Sequence, residues 1–204
     1  MTARLRVTAR TFRNRLWRVM YEPRSYWNKR YKVGGTSGKG SIGQERSEKW
    51  DIINQYVDMT GLRVLDIGCG DLSFWEGRAI PEDYIGADVS DEIIRKNRQK
   101  YPTKKFIRSN GQNLENIPVD VVLCLDVLFH LKKSDFFELL KRLDTQDAKW
   151  LVITNIPEVR NPEPHMHARP MPIEMLTYWT LIEKHQLESG NLLYVFSKDK
   201  SKYA

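Results

Sequence analysis

The stretch Val64-Leu65-Asp66-Ile67-Gly68-Cys69-Gly70-Asp71 decides the fold. A short apolar run, residues 63–67, ends in a turn with two glycines, and a short helix-like stretch, 72–79, follows. Glycine in such a turn lets the backbone approach a ligand and tolerates left-handed dihedrals. Outward from it, strand and helix signals alternate. Strand-like runs cover 83–89, 106–108, 119–125 and 149–155. Helix-like stretches cover 91–100 and 134–143, with Ser134 as the expected N-cap. A further helix over 44–59 precedes the first strand, with Trp50, Ile53 and Val57 on one side. This alternation predicts an α/β fold, a parallel sheet flanked by helices. Runs 180–185 and 192–197, around Ser189-Gly190-Asn191, predict a closing hairpin.

The turn also constrains its ligand. The dinucleotide fingerprint G-x-G-x-x-G needs glycine where Ser73 stands, and Asp66 with Asp71 would repel a pyrophosphate. A cationic ligand without phosphates fits better, and S-adenosylmethionine (SAM) has an ammonium, a sulfonium and no phosphate. Asp88 closes the next strand, Tyr84-Ile85-Gly86-Ala87-Asp88-Val89-Ser90, 22 residues after Asp66. That is near the spacing at which an acid grips a ribose diol.

On these residues the chain resembles a class I SAM-dependent methyltransferase, over about residues 44–155. The family's first motif, acid-x-Gly-x-Gly-x-Gly, is matched by Asp66, Gly68 and Gly70 and departs at Leu72. Phe106-Ile107-Arg108-Ser109-Asn110-Gly111 resembles the third motif. The segment from Asp120 through Asp126 to His130 resembles the fourth, with Phe129 where Glu is common. The resemblance implies a Rossmann-like three-layer sandwich, with a mostly parallel seven-stranded sheet and a C-terminal antiparallel hairpin. It places Asp66 near the methionine ammonium, the Gly68–Gly70 backbone toward the cofactor, Asp88 on the ribose and Val89 against the adenine. Asn110, with Gly111 beside it, stands where the family often has Asp on the adenine amino group, and Asp126 joins the cofactor set. Methyl transfer is then an in-line displacement whose neutral leaving group needs no acid. Alignment and exclusion of water are worth roughly 7–11 kcal/mol, and a base is needed only for a nucleophile with a proton of high pKa.

His130 follows the fourth strand on the rim where an acceptor approaches, as a base or as a structural histidine. The proline-rich loop 157–178 carries His165, His167 and Arg169. The two histidines are two apart and face one way in an extended chain. No nearby carboxylate or cysteine completes a metal set, so no metal is expected. The loop reads as an acceptor wall, with His167 as a second catalytic candidate, His165 and Arg169 binding substrate, and Arg169 suited to a carboxylate or phosphate. Gly38-Lys39 is no phosphate loop, because Gly40 follows the lysine and Val33 lacks the required glycine. The glycine-rich stretch after Tyr26, Trp27 and Tyr31 reads instead as a lid, with Trp27 and Tyr31 covering an apolar pocket. Lid and His-x-His-x-Arg loop together resemble a loosely defined bacterial and phage subgroup. The chain divides into an arm (1–33), lid and first helix (34–58), and SAM-binding core (59–204).

The net charge of +7 is uneven: residues 1–33 hold ten Lys and Arg and one acid, Glu22, and the other 171 residues carry −2. Leu5, Ala9, Phe12, Leu16 and Val19 form one helical stripe among arginines. This arm reads as a helix packed on the body, a polyanion contact (RNA or anionic membrane surface), or a targeting segment. The basic character is thus expected in the arm and not in the body. The longest apolar run, 119–131, contains Asp120, Asp126 and His130, so no transmembrane segment is expected. Cys69 and Cys124 sit in apolar segments, which suggests a reducing, cytoplasmic setting. No Asp/Asn-Pro-Pro-Tyr/Phe motif follows the fourth strand, and Cys124 looks inert, which disfavours base-amine and cytosine-C5 methylation of DNA. Three readings stand: an O- or N-methyltransferase on a small-molecule or glycan-like acceptor, an RNA methyltransferase using the arm, and a non-catalytic SAM-binding accessory subunit.

Overall fold

The computed structural model describes residues 20–111, 113–159, 163 and 165–198. The expected stripe of residues 5–19, and Pro162 and Pro164 of the acceptor loop, lie outside them. Seven strands form one sheet: β1 (Val64–Ile67), β2 (Tyr84–Asp88), β3 (Lys105–Arg108), β4 (Val121–Cys124), β5 (Trp150–Asn155), β6 (Thr180–Gln186) and β7 (Leu192–Ser197). Their order is β3-β2-β1-β4-β5-β7-β6. Strands β1 to β5 run parallel, and β7 is antiparallel to both β5 and β6.

The inner strands are apolar on both sides because helices cover both faces. Alternation along each strand splits the core. Leu65, Ile67, Val122 and Cys124 pack with Phe136, Leu139, Leu140 and Leu143 of α4 (Lys133–Asp144). Val64, Val121, Leu123 and Val152 pack with Trp50 and Ile53 of α2 (Gly43–Ile53) and Ile94 of α3 (Asp91–Lys100). Each fully buried side chain of this size stabilises the fold by about 1.5–3 kcal/mol. Helix α1 (Pro23–Lys32) starts where the Glu22 carboxylate accepts the N–H groups of Arg24 and Ser25, with Pro23 preset in its first turn. It lies along α3, joined by Asn28 to Ser90 and Asp91 and by Lys96 to the Tyr31 carbonyl.

Three local expectations change. Residues 72–79 form only a single 3-10 turn, Ser73–Trp75, because Gly77 then turns the chain with φ 78°. Ser134 is not the N-cap of α4; Lys132 holds that position, and the Ser134 hydroxyl reaches Asp135. Helix α2 stops at Ile53, where tightened bonds from Gln55 to Ile52 and Tyr56 to Ile53 close its last turn. The strand order reverses between β1 and β4, so a crevice opens at the carboxyl ends of these strands, where open α/β sheets bind ligands.

Candidate active site

A cavity of about 240 Å³ occupies that crevice. Its floor comes from the segments that leave β1 to β4: Ile67 and Gly68, Asp88 and Val89, Ser109 to Gly111, and Leu125 to Val127. Trp27 and Tyr31 of α1 form a wall, Ser37 and Ser41 a roof, and His130, Leu131, Asp135 and Leu139 the far side. Gly68 has φ 77°, and a Cβ there would run into Val127, so this close approach needs glycine. Leu72, in place of the expected third glycine, still adopts the left-handed conformation, at φ 63°. The turn keeps the backbone shape and accepts a strain of about 1–2 kcal/mol.

Asp88 lies at the cavity floor. Its carboxylate accepts the N–H groups of Gly70 (3.1 Å) and Ser90 (2.8 Å), and burial pushes its pKa up to about 6. Asp66 does not reach the cavity. Alternation places it on the same face of β1 as Val64, where its carboxylate accepts hydrogen bonds from Trp75 Nε1 (3.0 Å) and the Tyr84 hydroxyl (2.7 Å). Burial raises its pKa as well, against those two bonds. Gly70 is also outside the lining. A Cβ there would meet Ser37 Oγ, because segment 33–43 lies directly on the turn.

Two residues without an assigned role in the sequence hold that segment. Ser37 donates its hydroxyl to Asp71 (2.6 Å) and accepts the Asp71 N–H (3.0 Å). Lys49 of α2 is fully buried and bonds both the Gly40 carbonyl (2.8 Å) and Asp126 Oδ2 (2.5 Å). Asp126 has φ 56°, and Thr154 bonds both its carboxylate and its N–H. A lysine in α2 carried no sequence signal, because Asp126 is 77 residues away. The side chain of Ser37 was equally silent, though its glycine-rich setting marked the segment.

His130 lines the cavity beside the edge of Trp27, with ring centroids 5.2 Å apart. Its Nδ1 lies 3.2 Å from the His165 carbonyl. A carbonyl only accepts, so Nδ1 carries the proton and Nε2 keeps a lone pair. Burial, assisted by the neighbouring His165, lowers its pKa to about 3, so the ring is neutral at working pH. The acceptor loop gives His130 a backing, while its expected binding residues lie outside the lining. His165 stacks between His130 and Tyr26, at 5.1 and 4.7 Å. His167 donates its backbone N–H to the Phe129 carbonyl and sets its ring 5.7 Å from Tyr21. Arg169 donates to the Leu131 carbonyl and covers the Phe136 ring. Among the expected residues the cavity gathers Gly68, Asp88, Val89, Asn110, Gly111, Asp126, His130, Trp27 and Tyr31. It omits Asp66, Gly70, His165, His167 and Arg169.

Residues 64–145 match the family described as methyltransferase domain. The fold is similar to magnesium protoporphyrin IX methyltransferase from Synechocystis PCC 6803 with bound SAH, at 16% identity and TM-score 0.66, covering 86% of this chain and 98% of that one. It is also similar to the PH0226 protein from Pyrococcus horikoshii OT3, at 16% identity and TM-score 0.56, covering 82% and 97%. A third likeness is to the 16S rRNA methyltransferase RmtF in complex with S-adenosyl-L-homocysteine, at 16% identity and TM-score 0.52, covering 74% and 61%. No curated protein sequence matches significantly. No helix among the described residues is long and apolar enough to cross a membrane.

Proposed function

We propose that the chain, whose residues 64–145 match the methyltransferase domain family, is a SAM-dependent methyltransferase that acts on an O or N atom of a neutral acceptor, a small molecule or glycan-like compound, held near Trp27 and His130. One observation carries the reading. Among the described residues, the acids of the lining are Glu22, Asp88, Asp135 and Asp126, the last paired with buried Lys49, and no lysine or arginine lines the cavity. Such a surface favours a cation and repels phosphate. It suits SAM and disfavours a dinucleotide. The same charge disfavours a carboxylate or phosphate at the reacting end of the acceptor, and Arg169, the expected partner of such a group, lies outside the lining.

Asp88 would hold the ribose hydroxyls, Val89 and Gly111 would flank the adenine, and Gly68 would present its backbone. When bound, SAM supplies an electrophilic methyl group. The residues of the chain align and enclose. Trp27 and Tyr31 exclude water on one side, and segment 33–43 covers the turn. The neutral His130 accepts a hydrogen bond at Nε2 and so orients an acceptor O–H or N–H. A pKa of about 3 makes it a weak base, so orientation is its chief role.

Calorimetry with SAM, SAH and NAD tests the first half of this reading; binding of NAD in place of SAM overturns it. Incubation with methyl-labelled SAM and fractionated lysate tests the second. Label is expected in a neutral small-molecule or glycan fraction. If SAM binds and SAH accumulates with no fraction, the chain is an accessory SAM-binding subunit.

A further inference from the structure

We propose that the outer side of α3 carries a phosphate-binding groove, built by Arg95, Arg98 and Arg108, that takes the phosphate backbone of a nucleic acid. The groove runs between α3 and the end of β3, the edge strand of the sheet. Asp91, Ile94 and Gln99 complete its lining. Each guanidinium is oriented by a protein acceptor. Arg98 donates Nε and Nη2 to the Phe106 carbonyl, at 3.1 and 2.6 Å. Arg95 reaches Gln99 at 3.1 Å and Glu92 at 2.9 Å. Arg108 Nε lies 3.5 Å from Asp91, which also pairs with Arg24 at 2.7 Å. A guanidinium has five N–H donors in a planar fork, so these bonds leave donors for phosphate oxygens. The Arg95 and Arg108 side chains remain 55% and 46% exposed.

The charge of the folded surface agrees. Residues 91–108 hold seven Lys and Arg against two acids, and residues 20–33 hold four against one. Together they carry +8, more than the +7 of the whole chain. Residues 1–19 add six arginines and no acid, so the remainder of the chain sums to −7. The expectation that the body lacks basic character is therefore corrected: residues 91–108 alone carry +5, and the −2 outside residues 1–33 is an average over that segment and acidic surroundings. Helix α1 stands between groove and cavity. Its Arg24 and Asn28 bond Asp91 on one side, and its Trp27 and Tyr31 line the acidic cavity on the other.

Lysine at a sheet edge prevents edge-to-edge pairing, and bases at a helix C-terminus complement its dipole. Lys105, Lys100 and Arg98, the last two in the final turn of α3, meet those needs. Neither need accounts for Arg95 and Arg108, from two elements, converging with Arg98 on one depression. A membrane surface fits less well, because residues 91–108 expose no large apolar side chain for insertion. The inference does not rest on the methyl-transfer reading, and its test reads binding alone, so the two can fail separately.

The full chain is titrated into a fluorescent oligouridylate of about 20 nucleotides, with anisotropy followed between about 50 and 300 mM NaCl. Three to five phosphate contacts give a slope of log K against log salt of about −2 to −3.5. The variant Arg95→Gln/Arg98→Gln/Arg108→Gln should reduce that slope by about 2 and weaken binding about tenfold or more near 100 mM salt. Arg95→Glu/Arg108→Glu spares the Arg98 anchor and should weaken binding similarly, which covers the case that the triple variant folds poorly. Lys141→Gln/Arg142→Gln/Lys184→Gln removes equal charge elsewhere and should bind as the parent does. SAH affinity, unchanged throughout, reports an intact fold. The proposal is overturned if groove variants bind RNA normally or if the remote variant loses as much. It is equally overturned if arginine-dependent binding appears only with phosphatidylcholine–phosphatidylserine vesicles.

Discussion

Asp66 and Asp88 sit near the ends of adjacent strands, both buried, yet their surroundings differ in kind. Asp66 looks into an aromatic core, and side chains satisfy it: Trp75 and Tyr84. Asp88 looks into the cavity, and backbone amides satisfy it: Gly70 and Ser90. The first arrangement ties two rings to the sheet and has no room for a ligand. The second holds a carboxylate at the foot of an open space, with lone pairs that a diol can take up. An acid next to a glycine turn is therefore not a cofactor contact by type alone; the face of the strand decides. Asp126, at the end of β4, is a third solution, a cavity carboxylate already neutralised by buried Lys49.

The largest expected effect falls on that third case. Lys49→Met takes the cation from Asp126, which keeps only its bond from Thr154 at the partly enclosed cavity edge, and frees the Gly40 carbonyl. Breaking one side of a buried pair costs about 3–5 kcal/mol, so the urea midpoint should fall steeply. Lys49→Met/Asp126→Leu removes both charges and should regain much of the loss. A double variant no more stable than the single one would mean that the backbone at Asp126, with its positive φ, depends on the carboxylate itself.

Asp66→Ala comes next and tests the comparison directly. It strands two buried donors, on Trp75 and Tyr84, and should cost about 2–4 kcal/mol of stability while SAH affinity in the folded protein changes little. Asp88→Ala should instead weaken SAH binding by about 1–3 kcal/mol through lost bonds to the ribose. If Asp66→Ala abolished binding with stability intact, the two roles would be reversed.

The pH dependence sharpens the same contrast. With its pKa raised to about 6, Asp88 is a better proton acceptor folded than unfolded. Its contribution to stability is full below the ordinary carboxylate pKa near 4 and is lost as pH rises through about 6, a change of about 3 kcal/mol. Ribose recognition needs the ionised form, so SAH affinity should rise by up to about tenfold per pH unit toward 6 and then level off. Stability and affinity therefore move in opposite directions, and Asp88→Asn should flatten both differences when compared with the parent by calorimetry and urea titration.

The sheet was legible because its strands are short apolar runs separated by turn residues, and all seven appear within about two residues of their expected bounds. The cavity floor was legible for a related reason: Gly68, Asp88 and Asn110 stand at or just past the carboxyl ends of successive strands. What the sequence hid depends on partners far along the chain. Lys49 reads as a surface lysine until β4 brings Asp126 beside it. Arg169 reads as part of the acceptor wall, but the fold sets it against the Leu131 carbonyl and the Phe136 ring, outside the cavity lining. The orientation of Asp66 was recoverable in principle, since alternation puts it with Val64 and opposite Leu65 and Ile67, but family analogy pointed the other way. The basic face escaped because adding charge over the whole body cancels α3 and β3 against distant acids.

The smallest effect concerns the cover over the turn. Ser37 joins segment 33–43 to Asp71 by its hydroxyl and its backbone N–H, at 2.6 and 3.1 Å. Burial pushes the Asp71 carboxyl up, but the bonds from Ser37 and Ser73 prevail and hold its pKa below the usual value. Ser37→Ala removes the hydroxyl and leaves the backbone bond, and Arg30 still holds the neighbouring Thr36 carbonyl at 2.6 Å. The loss should therefore be only about 1 kcal/mol, read as roughly fivefold weaker SAH binding and faster amide exchange over residues 37–41. Gly70→Ala displaces the same hydroxyl from below and adds strain at φ 52°, so it should exceed Ser37→Ala in every readout. Equal effects would mean that the cover acts through the serine alone. A Ser37→Ala protein that binds SAH normally, with unchanged exchange, would mean that Lys49, Arg30 and the backbone bond to Asp71 hold segment 33–43 without help from the serine hydroxyl.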